Sequence, residues 1–362
     1  MLLQNDYNFT ERLLHAIAFS APILQRMLAE YENDIYRSEI DNVHTSNEVF
    51  IAGLPRSGST LLLNLIYGTG EFATFTYRQM PFILIPLLWN KLTYRYQKEG
   101  QVRERAHGDG VKISFDSPEA FEEVIWLTYM KKKIIKSNYI SPLSEGEYSQ
   151  EFAQAIFNAA KKCIILKKEK DNSINTSRYI SKNNANISRI EVIKELFQTS
   201  KMLVPFRQPL SHINSLMTQH NRFLRVHEKD KFSKKYMRWL GHFEFGENFK
   251  PINYDSWVDN KKIESNIDCD YWITYWTAAY AHVLKHKGDN VILVDYDDML
   301  TNREENLNRI AEQIGLTDKN KLIEKAGILR NPTTDGISHN LCSKKKLNCA
   351  NMVYKELKDS II

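Results

Sequence analysis

The stretch EVFIAGLPRSGSTLLLNLIYG, residues 48–68, constrains this chain more than any other. VFIAG (49–53) is a short, continuously apolar run, the pattern of a strand buried on both faces of a parallel sheet. A glycine loop follows, and then an apolar helix from Thr60 to about Tyr67, so the segment reads as strand, loop and helix. The loop fits the phosphate-binding frame G-x-x-x-x-G-K-[ST] at Gly53, Gly58 and Thr60. It departs from the frame at Ser59, where a lysine is required.

That departure limits the ligand. Backbone N–H groups of a glycine-rich loop form a concave anion site, and the start of the next helix adds its partial positive charge. In a nucleoside triphosphatase the lysine neutralises the β- and γ-phosphates, and a hydroxyl binds Mg²⁺. Ser59 neutralises nothing. Arg56, inside the loop, brings a cation from another direction, and its planar fork suits two oxygens of one anion. The site is therefore expected to take a less charged group than a triphosphate, without a metal. A phosphosulfate meets both conditions.

Along the chain, strands alternate with helices. Residues 10–32 have helical spacing, 71–77 read as a second strand, and DSPEAFEEVIWLTYM (116–130) as a helix capped by Asp116 or Ser117. RYISKNN is a short strand and KMLVPFRQP (201–209) another, ended by Pro209. Residues 240–268 read as irregular and aromatic, 270–286 as a strong helix, NVILVDYDDML as a strand, and 330–351 as loop. No internal repeat is found. The expected class is α/β, a central parallel sheet flanked by helices. One domain over 1–362 is expected, with helical insertions at about 80–160 and 225–270 covering an acceptor pocket.

GLPRSGSTLL resembles the 5′-phosphosulfate loop of bacterial-type sulfotransferases that use 3′-phosphoadenosine 5′-phosphosulfate (PAPS). KMLVPFRQPLSHINSL is similar to that family's 3′-phosphate motif, an apolar strand, R-x-P and a serine on the next helix; Arg207 and Ser215 match. NVILVDYDDMLTNREENLNRIAEQIGL looks like the family's late Y-[ED]-D-L segment, with Met299 in place of leucine. Gln208 stands where many members have aspartate. The resemblance implies a P-loop-containing sulfotransferase fold, PAPS as co-substrate and no metal. It implies donor contacts from Arg56, Ser57, Gly58, Ser59, Thr60, Arg207 and Ser215. It also implies Lys182, in YISKNNAN, although Asn184 replaces the proline of the family's K-x-P segment.

PAPS is charged at both ends, so one loop cannot hold it. Arg207 follows a strand, and ligands of parallel sheets bind beyond the carboxyl ends of strands. Sulfuryl transfer also needs a base for the acceptor's proton and cations for the leaving phosphate, the second being a role for Arg56. The family uses histidine or glutamate as base. Glu122 flanks the inner face of its helix, where partial burial would raise its pKa; Glu123 points roughly opposite. His107, with a pKa near neutral, is the rival, and Glu122 is preferred. Tyr77 and Arg78 would face the acceptor, and Trp89, Trp239 and Trp257 would stack on sugars or belong to the core.

The net charge of +5 is mild and dispersed, which suits an anionic small ligand or acidic glycan rather than nucleic acid. The acceptor expected is a small molecule or glycan hydroxyl, on a carbohydrate or glycolipid. Cys163, Cys269, Cys342 and Cys349 form no C-x-x-C and are expected as thiols of a cytoplasmic protein. Asp6, Glu11 and Arg12 break any signal-peptide pattern. PFILIPLLW (81–89) is too short to span a bilayer, which leaves a buried helix or peripheral membrane contact. Two alternatives stand beside the transferase: a P-loop nucleotide kinase or NTPase, with Asp295 as the metal-site aspartate, and an inactive nucleotide-binding protein.

Overall fold

A computed structural model of the chain describes residues 9–93, 103–104, 112–171, 178–258, 268–329 and 342–361. Five strands form the central sheet: β1 (Val49–Ile51), β2 (Phe72–Ala73), β5 (Arg178–Lys182), β6 (Lys201–Phe206) and β7 (Val291–Asp295). They lie in the order β2–β5–β1–β6–β7, every pairing parallel. The short strands β3 (Arg103–Glu104) and β4 (Lys112–Ile113) pair antiparallel with each other. β1 is central, with Val49 opposite Ile180 on one side and Lys201 on the other. Its residues are buried on both faces, as its unbroken apolar run requires.

Helices cover the sheet on both sides. Leu62, Leu63 and Ile66 pack with Leu307, Ile310 and Val294 in one core layer. Trp126, Phe152, Trp272, Trp276 and Val283 belong to the larger core. Because the strands run the same way, β5, β1, β6 and β7 deliver Lys182, the loop after Ile51, Arg207 and Tyr296 to one edge of the sheet. A site built at that edge follows from topology alone.

Several expectations are corrected. Residues 10–32 form two helices, Phe9–Ser20 and Pro22–Ile35, because Pro22 cannot continue the first and instead opens the second. The helix expected from Pro118 begins at Glu123. Pro118 bridges to Thr76, and Asp116 caps nothing: it pairs with Arg78, Nη2 at 2.8 Å. Pro209 starts the helix Pro209–Lys229 rather than ending a strand. The helix Lys344–Asp359 begins inside the span 330–351 read as loop and buries Ala350 and Leu357. Ile83, Leu84, Ile85 and Leu87 of the 81–89 run are buried in the protein. Among the described residues, no helix is long and apolar enough to cross a membrane.

The cysteines differ from expectation too. Cys269 and Cys342 form a disulfide, with Cα atoms 5.3 Å apart and a sequence separation of 73. Packing of the helix Cys269–His286 against the C-terminal helix brings them together, and no local spacing signals such a pairing. Cys163 and Cys349 are free, the first buried and the second exposed.

Candidate functional site

The loop after β1 bends through two left-handed residues, Arg56 at φ +69° and Gly58 at φ +96°. Gly58 is confined by more than its backbone. A Cβ there would lie 2.3 Å from Tyr296 Cδ2, so only glycine lets Tyr296 close over the loop. Gly58 is the N-cap of the helix Ser59–Tyr67, whose first N–H groups face the loop's concavity.

Arg56 reaches across to the second segment, its Nε donating to Ser215 Oγ at 3.1 Å. Arg207 Nη1 donates to the Arg56 carbonyl at 3.3 Å, and its Cζ stands 4.9 Å from the Tyr296 ring centroid. Thus Arg56, Arg207, Ser215 and Tyr296, from three separate stretches, share one locus. Gln208, in place of the family's aspartate, caps its helix by accepting from Ser211 N at 2.8 Å. Its own N–H donates to Asp297 Oδ2 at 2.9 Å, and Asp297 Oδ1 lies 3.7 Å from Arg207 Nε.

Beneath the loop stands His212, fully buried, its Nε2 2.9 Å from the Pro55 carbonyl. Trp276 Nε1 donates to its Nδ1 at 3.1 Å, so Nε2 carries the proton and donates. Burial, and then the nearby Arg207, hold the His212 pKa down at about 3. It is a neutral strut under the loop.

Two buried polar atoms here have no hydrogen-bond partner, Ser57 Oγ and Arg207 Nε. Buried donors are rarely left unsatisfied. A ligand with an anionic group at each end would offer acceptors to both, so the residues present fit a ligand bearing phosphate or sulfate groups.

A cleft opens beside Leu54 and Pro55 of the loop. Ala120, Ile140, Phe243, Ile252 and Tyr275 give it apolar walls. Its polar wall is a chain of contacts starting in the loop itself. Ser59 Oγ donates to Asn184 Oδ1 at 3.3 Å, and Asn184 Nδ2 donates to Glu244 Oε1 at 3.0 Å. Glu244 Oε2 stands 3.6 Å from His242 Nδ1, with side-chain exposures of 23% and 19%. For Glu244, burial works upward, but His242 and Lys182 outweigh it and hold the carboxyl at about 2. For His242, burial works downward, and Glu244 outweighs it to raise the imidazole.

Glu123 also lines this cleft. Its carboxylate accepts from Arg189 Nη1 at 2.6 Å and Nη2 at 2.9 Å, and from Asn183 Nδ2 at 2.6 Å. Glu122, expected at the cleft, lies in the core instead at 1% exposure. Trp126 Nε1 and Tyr179 OH donate to its two oxygens at 3.1 and 2.9 Å, and burial raises its pKa. The helix begins only at Glu123, with Glu122 as its N-cap residue, so a wheel drawn from Pro118 does not place the two glutamates. His107 lies outside the described residues.

Other expected contacts are engaged elsewhere. Arg78 is paired with Asp116, whose carboxyl it holds at about 2, and Tyr77 OH donates to Glu119 Oε2 at 3.1 Å. Trp89 Nε1 donates to the Arg78 carbonyl and Trp257 Nε1 to that of Ile252, while Trp239 stacks on Phe19. Lys182 is buried at the end of β5, and Thr60 half-buried in the first turn of its helix. His282 and His286 lie one turn apart on the helix Cys269–His286 with their rings tilted and in contact, and His286 Nδ1 is 3.0 Å from Glu191 Oε1. Among the described residues, no group of three or more His, Cys, Asp or Glu is arranged to hold a metal.

His242 and Glu244 are the residues that sequence reasoning missed. A signal existed. In GHFEF, polar and aromatic residues alternate, which in extended chain sets His242 and Glu244 on one side and Phe243 and Phe245 on the other.

Residues 48–264 match the family model described as the sulfotransferase family. Sulfotransferase STF9 from Mycobacterium avium is similar in structure with a TM-score of 0.51 at 10% identity, over 99% of this chain and 88% of that one. Sulfotransferase STF1 from Mycobacterium tuberculosis H37Rv gives a TM-score of 0.49 at 10% identity, over 94% of this chain and 84% of that one. No curated protein sequence matches this chain.

Proposed function

The chain belongs to the sulfotransferase family, and on that premise we propose that it moves a sulfuryl group from PAPS to a hydroxyl of an acceptor bound in the cleft beside the loop. One observation carries the reading: Arg56 meets Ser215, Arg207 donates to the Arg56 carbonyl, and the buried Ser57 hydroxyl and Arg207 Nε have no hydrogen-bond partner. Arg56, Ser57, Gly58, Ser59 and Thr60 would hold the 5′-phosphosulfate, and Arg207 and Ser215 the 3′-phosphate. Lys182 would add positive charge between donor and acceptor. When bound, PAPS supplies a sulfuryl group activated by its phosphate leaving group. The protein orients it, and Arg56 meets the charge left on the phosphate.

The proposed unit is a single domain in which the two insertions wall the acceptor cleft, since Ala120, Glu123 and Ile140 come from the first and His242, Phe243 and Glu244 from the second. Of the acceptors expected, carbohydrate or glycolipid, the apolar walls favour one that presents its hydroxyl on a lipid-like or alicyclic body. The Cys269–Cys342 pair fits an oxidising compartment better than the cytoplasm expected from the sequence. The NTPase alternative loses support at Asp295. That carboxylate is 1% exposed and caps the helix Tyr296–Thr301 by accepting from Asp297 N and Asp298 N, a role that leaves it poorly placed for Mg²⁺.

The test is calorimetry with the desulfated nucleotide PAP, followed by transfer of radiolabelled sulfate from PAPS to a panel of lipids and glycans. PAP binding and a labelled acceptor are expected. Mg²⁺-dependent ATP hydrolysis without PAP binding would overturn the reading, and PAP binding with no labelled acceptor would favour the inactive alternative.

A further inference from the structure

We infer that His242, oriented by Glu244, is the base that takes the acceptor's proton. The inference rests on the sulfotransferase reading and names a group that neither the loop nor the nucleotide motif supplies.

A base for this reaction must satisfy three conditions. It must face the acceptor rather than the core, it must be fixed relative to the donor loop, and it must hold a proton-accepting atom clear of its own partner. Glu122 fails the first, buried with both oxygens engaged. Glu123 faces the cleft but fails the third, its oxygens taken by Arg189 and Asn183. His212 lies under the loop with both nitrogens engaged.

His242 meets all three. It lines the cleft with Leu54 and Pro55 of the donor loop. The contacts Ser59–Asn184–Glu244 tie its partner to that same loop. Its Nδ1 faces the Glu244 carboxylate, so the Nδ1–H tautomer is favoured and Nε2 is the basic atom. The charged surroundings are mixed: Glu119, Glu123 and Glu244 on one count, Lys182, Arg189 and Lys250 on the other. Glu244 is the partner in contact, and it raises the imidazole.

In the step that follows, a lone pair of the acceptor oxygen attacks sulfur and forms the new S–O bond. The bond from sulfur to the bridging oxygen of the 5′-phosphate breaks, and its electron pair leaves with PAP. The acceptor proton passes to His242 Nε2, and Glu244 balances the imidazolium until solvent takes the proton.

The experiment compares two acceptors of different acidity, 1-octanol and 4-nitrophenol, with radiolabelled PAPS. An aliphatic alcohol needs the base, whereas a nitrophenol ionises without help. His242→Ala and His242→Gln are each expected to lower kcat with octanol by about 10²- to 10⁴-fold, with less than about tenfold loss on 4-nitrophenol and PAP affinity unchanged. Glu244→Gln is expected to shift the acid limb of kcat/KM to lower pH, since removing the carboxylate lowers the His242 pKa. A purely structural role would not produce that shift. Equal loss on both acceptors, or an unmoved acid limb, overturns the inference and leaves the sulfotransferase reading standing. A wild-type protein that neither binds PAP nor transfers label overturns the reading itself, and the base with it.

Discussion

Arg56, Arg207 and Ser215, proposed to hold the donor, meet at one locus, and each comes from a stretch that can be read in isolation: a glycine loop, an R-x-P and a helix serine. His242, Glu244, Asn184 and Glu123 line the cleft proposed for the acceptor, and none of their segments signals the others. The difference has a physical origin. A phosphate loop is formed by backbone N–H groups and a helix start, so each such segment is set by the local course of the chain, even where two distant segments come together. An acceptor is held by side chains on surfaces that only the finished fold brings together. The motifs proposed for the donor are thus each local in sequence, and the groups proposed for the acceptor are not.

Four substitutions or conditions would break or sharpen this contrast. The largest effect is expected at Glu123→Ala, which strands the buried Arg189. Breaking such a pair costs about 3–5 kcal/mol, read as a fall in the urea midpoint, while PAP affinity of the folded protein stays within about twofold. An equal loss of PAP affinity would mean that the two sides are not separable. Next, Gly58→Val forces Tyr296 aside and strains a left-handed residue. PAP affinity is expected to fall about a hundredfold, about 2.7 kcal/mol, with a smaller change in stability; an unchanged Kd would remove the loop from the donor site.

The third is pH. The folded His212 pKa of about 3 lies below its ordinary 6.5, so the unfolded chain takes up a proton that the folded one refuses. The stability it supports is complete above pH 6.5 and is lost as pH falls from 6.5 toward 3. At pH 5.5 the expected loss is about 1.4 kcal/mol, seen in urea midpoints and flattened in His212→Gln. The smallest is Ser215→Ala. It removes one hydroxyl that Arg56 already contacts and is expected to weaken PAP by about fivefold, about 1 kcal/mol, with kcat unchanged.

The same contrast decides what could be read from the sequence. β1 and its loop were legible because an apolar run bounded by glycine admits few conformations. Arg207 and Ser215 were legible because a strand end and a helix face fix their places. The Glu122 and Glu123 phase was not legible, since Pro118 and Asp116 imitate a helix start while the chain pairs with Thr76 and Arg78 instead. The helix Lys344–Asp359 was hidden by Lys344, Lys345 and Lys346, although Leu347, Ala350, Tyr354 and Leu357 keep helical spacing behind them. His242 and Glu244 sat in a segment with no periodic length to its name, and only the contact with Asn184 reveals their use.

The bond between Cys269 and Cys342 makes a covalent ring that contains β7 and the Tyr296 that closes over Gly58. A protease cutting once inside that ring releases nothing. The nicked chain migrates as one species on a gel without reductant and as two with it, and Tyr296 stays tethered to the rest of the molecule by whichever arm remains.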